Sequence, residues 1–204
     1  MTDYRTVARE AQAEFTEKRS RFLAYVCPIS TEQQALDFIE QIRKKHWDAR
    51  HNVFAYRLHN GCARCSDNGE PQSTAGAPTM EVLTSADVTD LVVVITRYFG
   101  GVLLGTGGLV RAYSTAAKLG LEAAGTVTMT YGSYFTLSCD YSLYNTVSAL
   151  ISAEGKITDS AFETQVLLQF FLPQQRQQPF LRALADKTGG GVCATKLKDG
   201  FLPF

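Results

Sequence analysis

Nothing in this 204-residue sequence is apolar for long enough to lie in a bilayer: runs such as Leu91–Ile95 stop far short of the roughly 18 residues a spanning helix needs. The opening Met-Thr-Asp-Tyr-Arg has no apolar export core behind it, so a cytosolic, cytoplasmic protein is expected. Excess charge is missing too, with 20 Lys plus Arg against 20 Asp plus Glu. A division near Phe135 leaves 14 of each sign before it and 6 of each after it, so neither part is a basic domain. That excludes a generic nucleic-acid sponge, whose affinity comes from many phosphate contacts; any polyanion site must be local. Cysteine is sparse and odd in number, with Cys27, Cys62, Cys65, Cys139 and Cys193 scattered along the chain, so reduced thiols are expected rather than a disulfide framework. Disorder is excluded by an apolar content of 45%, and a chain of this size buries about 70% of its unfolded surface without staples.

What is present is an alternation of strand and helix signals. Phe15–Val26 is rich in aromatic and β-branched residues, with a plausible turn at Lys18–Ser20. A helix follows, capped by Ser30 or Thr31, with a capping-box spacing from Ser30 to Gln33 and Ala35, Leu36, Ile39 and Ile42 at helical period through Trp47. His51–Leu58 alternates as a strand does. Residues 60–79, with three glycines, two prolines and no apolar period, read as a long loop of functional size. Leu91–Ile95, apolar throughout, is the signature of a central strand covered on both faces, and Arg97 is placed just beyond its end. After the five glycines of 100–108, Leu109, Tyr113, Ala116, Ala117, Gly120, Leu121 and Ala124 form one face of a helix. From about Tyr134 the order is βαββαβ, the ferredoxin-like split unit. Two α+β domains are expected, 1–132 and 133–204.

Several motifs carry possible chemistry. Gly105-Thr106-Gly107-Gly108 opens a helix, where free N–H groups and the helix dipole receive anions, although a tight crossover needs the same glycines. It is neither a Walker loop, since Thr106 stands where lysine belongs, nor a Rossmann fingerprint, since Val110 replaces the last glycine. Arg111 in the first helical turn opposes the dipole unless an anion compensates, either Asp67 or Glu70 from within or a phosphate from outside. Asp67 and Glu70, amid turn residues, could form an acid–base pair or a hydrogen-bonded structural loop. His59, Cys62 and Cys65, with His51, have zinc-ligand chemistry but lack a second pair at knuckle spacing, and no metal or other cofactor is expected. No Gly-x-Ser-x-Gly elbow is present, so no catalytic residue is assigned. The tyrosines Tyr4, Tyr98, Tyr113, Tyr131 and Tyr134 read first as core and second as base-stacking surface.

Three segments together carry a resemblance: RYFGGVLLGTGGLVRAYS at Arg97–Ser114, DARHNVFAYR at Asp48–Arg57 and SDNGEPQSTAGAPTMEVL at Ser66–Leu83. They resemble the IMPACT family, specifically its bacterial, YigZ-like members. The resemblance implies an N-terminal β-α domain like domain IV of elongation factor G and a C-terminal ferredoxin-like domain like that factor's domain V. Asp67, Gly69, Glu70, Pro71, Thr74, Ala75 and Gly76 match the family's acidic-glycine loop, while Arg97, Gly100, Gly101, Gly105, Gly107, Gly108 and Arg111 match its signature. Asn68 stands where the loop usually has a second Asp, and Ser73 where it has Gly, which weakens any three-carboxylate metal site. Eukaryotic members regulate translation but carry an additional N-terminal module for which this sequence has no room, so their partner is not implied.

The expectation is therefore a non-enzymatic, translation-associated binding protein. Its partner would be RNA, the ribosome or a translation-associated protein, and it would not associate with membrane. The site would comprise His51, Arg57, Asp67, Glu70, Thr74, Arg97, Gly105, Thr106, Gly107, Gly108 and Arg111, with the arginines on phosphate and the glycines admitting backbone. On this reading Arg97→Ala weakens binding and leaves the fold intact. The competing expectation is a hydrolase or transferase acting on a small phosphorylated substrate, with Glu70 or His51 as general base.

Overall fold

The computed structural model describes residues 2–204, and these divide into two compact units: Tyr4–Thr128, and Met129–Phe204 together with Thr2 and Asp3. The first unit contains β1 (Tyr4–Val7), β2 (Ala11–Glu17), β3 (Ser20–Pro28), α1 (Glu32–Lys45), β4 (His51–Arg57), β5 (Ala63–Ser66), α2 (Gly76–Ser85), β6 (Leu91–Tyr98) and α3 (Thr106–Ala124). Five strands form an antiparallel sheet in the order β2-β3-β6-β4-β5, so the all-apolar segment is its middle strand.

Strand alternation then sorts β6 between two layers. Val93 and Ile95, with Phe22, Ala24 and Val53, pack on Leu83 of α2 and on Leu109, Tyr113 and Ala117 of α3. Val92 and Val94, with Leu23, Tyr25, Phe54 and Tyr56, pack on Ala35, Phe38, Ile39 and Ile42 of α1. Each Val, Leu, Ile or Phe among them stabilises by about 1.5–3 kcal/mol when fully buried. The α1 stripe is 35, 38, 39 and 42; Leu36 stays on the exposed side. Thr31 is the cap, its Oγ1 accepting from Gln34 N–H at 3.3 Å, so the capping pair sits one residue later than the Ser30–Gln33 spacing suggests.

The expected long loop at 60–79 is only partly a loop, since β5 and the start of α2 lie within it. The β2–β3 hairpin turns through Lys18 and Arg19, both at positive φ (44° and 69°), the mirror-image geometry that suits the twist of paired strands. Gly100 lies beneath that turn: a Cβ there would come within 2.1 Å of the Arg19 carbonyl carbon, so no larger residue fits.

β7 (Thr126–Cys139) carries the chain into the second unit, followed by α4 (Tyr141–Glu154), β8 (Lys156–Phe162), β9 (Val166–Pro173), a 3-10 turn at Gln174–Arg176, α5 (Gln177–Thr188) and β10 (Thr195–Pro203). The antiparallel order β10-β7-β9-β8 is the ferredoxin-like arrangement. Phe135, Leu137, Leu168 and Phe170 bury against Val147 and Ile151 of α4 and Phe180 and Leu184 of α5. Among the described residues no helix is long and apolar enough to cross a membrane.

Candidate functional site

Alternation along β6 also settles the position of Arg97. It is inside the strand rather than beyond it, on the same face as Val93 and Ile95, directly opposite His51 of β4 and Phe22 of β3. There its residue exposure is 6% and its guanidinium is paired: Nη1 donates to both Glu70 oxygens, at 2.8 and 3.0 Å. Tyr113 Oη donates to Glu70 Oε1 at 2.7 Å, and Arg97 Nη2 reaches Ser20 Oγ at 3.4 Å, which also accepts from Gly100 N–H at 3.2 Å. Burial, and next the Glu70 charge, push the Tyr113 hydroxyl far above its ordinary pKa, so it is a permanent donor. The guanidinium carbon lies 5.6 Å from the ring centroids of both Phe22 and Phe99. Its Nε alone is sealed from solvent without an acceptor.

The acidic-glycine loop is an internal cap. Asp67 Oδ1 accepts from Ala75 and Gly76 N–H at 3.0 and 2.8 Å, and Oδ2 accepts from Ser73 N–H at 2.8 Å, which satisfies the start of α2 from eight residues upstream. Asn68 sits at φ 45°, which Asn tolerates better than most residues, and its Oδ1 accepts from Asn52 N–H at 2.7 Å. Thr74 is buried, its hydroxyl donating to Pro71 O. Arg57 is elsewhere: its Nη1 donates to Leu83 and Val88 carbonyls, binding β4 to the end of α2 and the segment before β6.

Five of the expected residues do converge. His51, Glu70, Arg97, Gly105 and Thr106 line a cleft of about 420 Å³, together with Arg50, Phe99, Leu103 and Leu104. His51 Nδ1 lies 3.0 Å from Asn68 O; a carbonyl only accepts, so Nδ1 carries the proton and Nε2 remains for a ligand. Leu104 is shared with a recess of about 250 Å³ lined by Lys18, Gly108 and Arg111. Arg111 is exposed, makes no ion pair with any described carboxylate, and lies near Gly107, whose added Cβ would be 3.7 Å from its Nη1. Neither internal compensator is free, since Asp67 is on α2 and Glu70 on Arg97. The N-cap of α3 is Gly105 at φ 71°, with no side-chain cap, so its first-turn N–H groups are left to solvent or to a ligand. Arg50, Phe99, Leu103, Leu104 and Leu109 line the cleft without having been expected at the site. The available signal was apolar residues bordering or interrupting the glycine run, Phe99 just before it and Leu103 and Leu104 within it.

His59 stacks on Tyr4 with ring centroids 4.1 Å apart, and among the described residues no three His, Cys, Asp or Glu side chains gather as a metal site.

A family model described as the Impact N-terminal domain matches residues 18–121, and one described as a domain of unknown function, DUF1949, matches 137–190. The chain is 32% identical over 204 residues to the Bacillus subtilis "IMPACT family member YvyE", covering 98% of this chain and 93% of that one. This chain belongs to the IMPACT family. The Escherichia coli member YigZ is 35% identical over 180 residues, covering 86% of this chain and 88% of its own. A crystal structure titled as that of a hypothetical protein superposes with a TM-score of 0.63 at 32% identity, over 97% of this chain and 98% of the other. The cleft and its adjoining recess lie almost wholly inside the matched IMPACT segment; only Phe15 and Glu17 of the recess precede it.

Proposed function

We infer that this IMPACT protein is a non-enzymatic RNA-binding module of translation, holding backbone phosphate at the cleft and its adjoining recess. The observation that carries the reading is the set of donors left without anionic partners there: Arg50, Arg111 and the uncapped N–H groups of α3. Phe99 and Leu103, both exposed at the mouth, add apolar surface of the kind unstacked bases use. A neutral chain with its cations gathered locally suits a specific contact rather than nonspecific coating. The family resemblance implies a fold shared with elongation factor G domains, and that analogy supports a ribosomal setting.

The test is cosedimentation with bacterial ribosomes at low and moderate salt. Arg50→Ala and Arg111→Ala, both exposed, should keep the melting temperature, weaken binding and each reduce the salt slope by about 1. Unchanged binding in both variants removes the site. A second reading rests on the fixed His51 tautomer, which leaves Nε2 available as a general base for a small phosphorylated substrate. Glu70, with both oxygens occupied, is not available for that role. Turnover lost in His51→Gln would favour the enzyme.

A further inference from the structure

One large aromatic side chain has no packing role. Trp47 is 84% exposed, although indole is among the side chains that gain most from burial. The residues on either side are nonetheless locked. Tyr98 Oη donates to Asp48 Oδ1 at 2.9 Å, so it accepts from His46 Nδ1 at 2.9 Å, and His46 Nε2 in turn accepts from Tyr25 Oη at 2.7 Å. His46 N–H donates to Ile42 O, and Ala49 N–H to His46 O, closing the end of α1. The indole is therefore held outward by a rigid base.

Cations surround this base. Arg43, Lys44 and Lys45 occupy the last turn of α1, and Arg50 follows. The α1 dipole accounts for basic residues in that turn but not for an exposed indole beside them. Arg43 and Lys45 lie over the rings of Phe54 and Tyr25, at 5.8 and 4.7 Å, rather than on carboxylates. Lys44 has only Glu40, at 3.9 Å and largely in solvent, a pair worth little. Asp48 is engaged by Tyr98. At most about 14 Å of backbone separates Trp47 from His51 in the cleft.

We propose that Trp47 is a stacking platform for an unpaired base of single-stranded RNA, with Lys44, Lys45, Arg43 and Arg50 on the flanking phosphates and the strand continuing toward the cleft at His51. This rests on the RNA-binding reading above. Single-stranded RNA is favoured because only an unstacked base offers its face to an isolated indole, while the cations match its backbone.

Trp47 is the one tryptophan in the chain, so its emission reports this site alone. The intact protein is titrated with a twelve-residue oligouridylate, following tryptophan emission and, separately, anisotropy of the labelled oligonucleotide. Emission should be quenched with the same midpoint as the anisotropy rise. Trp47→Ala should keep the melting temperature and weaken binding about 5- to 150-fold, the equivalent of about 1–3 kcal/mol for one stacked base, and Trp47→Phe should restore most of it. Anisotropy that rises while emission and the Trp47→Ala affinity stay unchanged overturns the platform and leaves the RNA reading standing. No anisotropy change at low salt overturns both. Equal binding of an RNA duplex overturns the single-strand assignment, and equal quenching by polyglutamate overturns stacking in favour of an acidic protein partner.

Discussion

The buried Arg97–Glu70 pair should behave as a structural element rather than as a surface contact, and its removal gives a defined response. At 2.8 Å and an effective dielectric of 20 the gross attraction is about 6 kcal/mol, most of it offset by stripping water from two side chains that are 6% and 3% exposed. Glu70→Gln leaves Tyr113 an acceptor but strands a buried guanidinium, whose Nε already lacks a partner. Arg97→Ala strands the carboxylate instead and opens space between Phe22 and Phe99. Each single variant should lose about 3–5 kcal/mol, the usual result of breaking a buried pair from one side. For a chain of this length that lowers the melting temperature by about 6–20 °C. The combination of Arg97→Met, Glu70→Leu and Tyr113→Phe removes every stranded polar group except Ser20 Oγ, which keeps Gly100, and should recover most of the loss. Urea unfolding followed by far-UV circular dichroism supplies the midpoints. Single variants within about 1 kcal/mol of the parent, or a triple variant no better than the singles, would refute the argument.

Other positions give sharper local tests. Asp67→Ala strands three N–H groups at the start of α2 and should cost about 1–3 kcal/mol, with faster amide exchange at Ser73, Ala75 and Gly76 as the check. Gly100→Ala meets the Arg19 backbone and should destabilise by about 3 kcal/mol or more, whereas Gly101→Ala, with open space but φ 82°, should cost only about 1–2 kcal/mol; paired thermal melts decide. Burial first, then the Lys45 charge, hold the His46 pKa below its ordinary value, against a smaller opposing pull from Asp48 and with Arg21 adding to the lowering. The unfolded chain thus takes up a proton as pH falls through about 6.5 while the folded chain does not yet, so stability should fall on acidification there and level off once the folded value is passed. Urea midpoints at pH 7.5 and 5.5 should separate more for the parent than for His46→Gln.

The parts of this fold that the sequence disclosed are those decided by short-range pattern. Five apolar residues in a row do form the doubly covered strand, and the small-residue face from Leu109 to Ala124 is buried as its period implies. Where a partner lies far along the chain the pattern is silent. Thr96 and Arg97 looked like the end of β6 because polar residues usually end a strand, yet Asn52 and Glu70, 44 and 27 positions away, meet them in the interior. The start of α2 was missed because Ala75, next to the helix, caps nothing; Asp67 does so from upstream. Arg57 looked like a site arginine because carbonyl partners at Leu83 and Val88 leave no local trace. Trp47 looked like the last member of an inward stripe, and exposure is a property of the whole molecule.

The family segments and the residues that meet them thus separate into two physical roles that sequence matching treats as one. Arg97, Glu70, Tyr113, Ser20 and Gly100 form a closed network in which every removal leaves a stranded charge, a broken hydrogen bond or a clash, so variation there is read first as lost stability. Arg50, Trp47, Arg111, Phe99 and Leu103 stand on the same framework with their polar or apolar faces in solvent, so variation there should leave the fold unchanged and, on the function proposed above, weaken binding. The network adjoins the second group: Gly69 lies against the His51 ring and Gly100 against the backbone of the hairpin turn, on either side of the cleft where the uncapped end of α3 opens. A ligand contacting that rim would meet donors whose positions were paid for during folding, which is the condition for a neutral protein to bind a polyanion at one place without binding it everywhere.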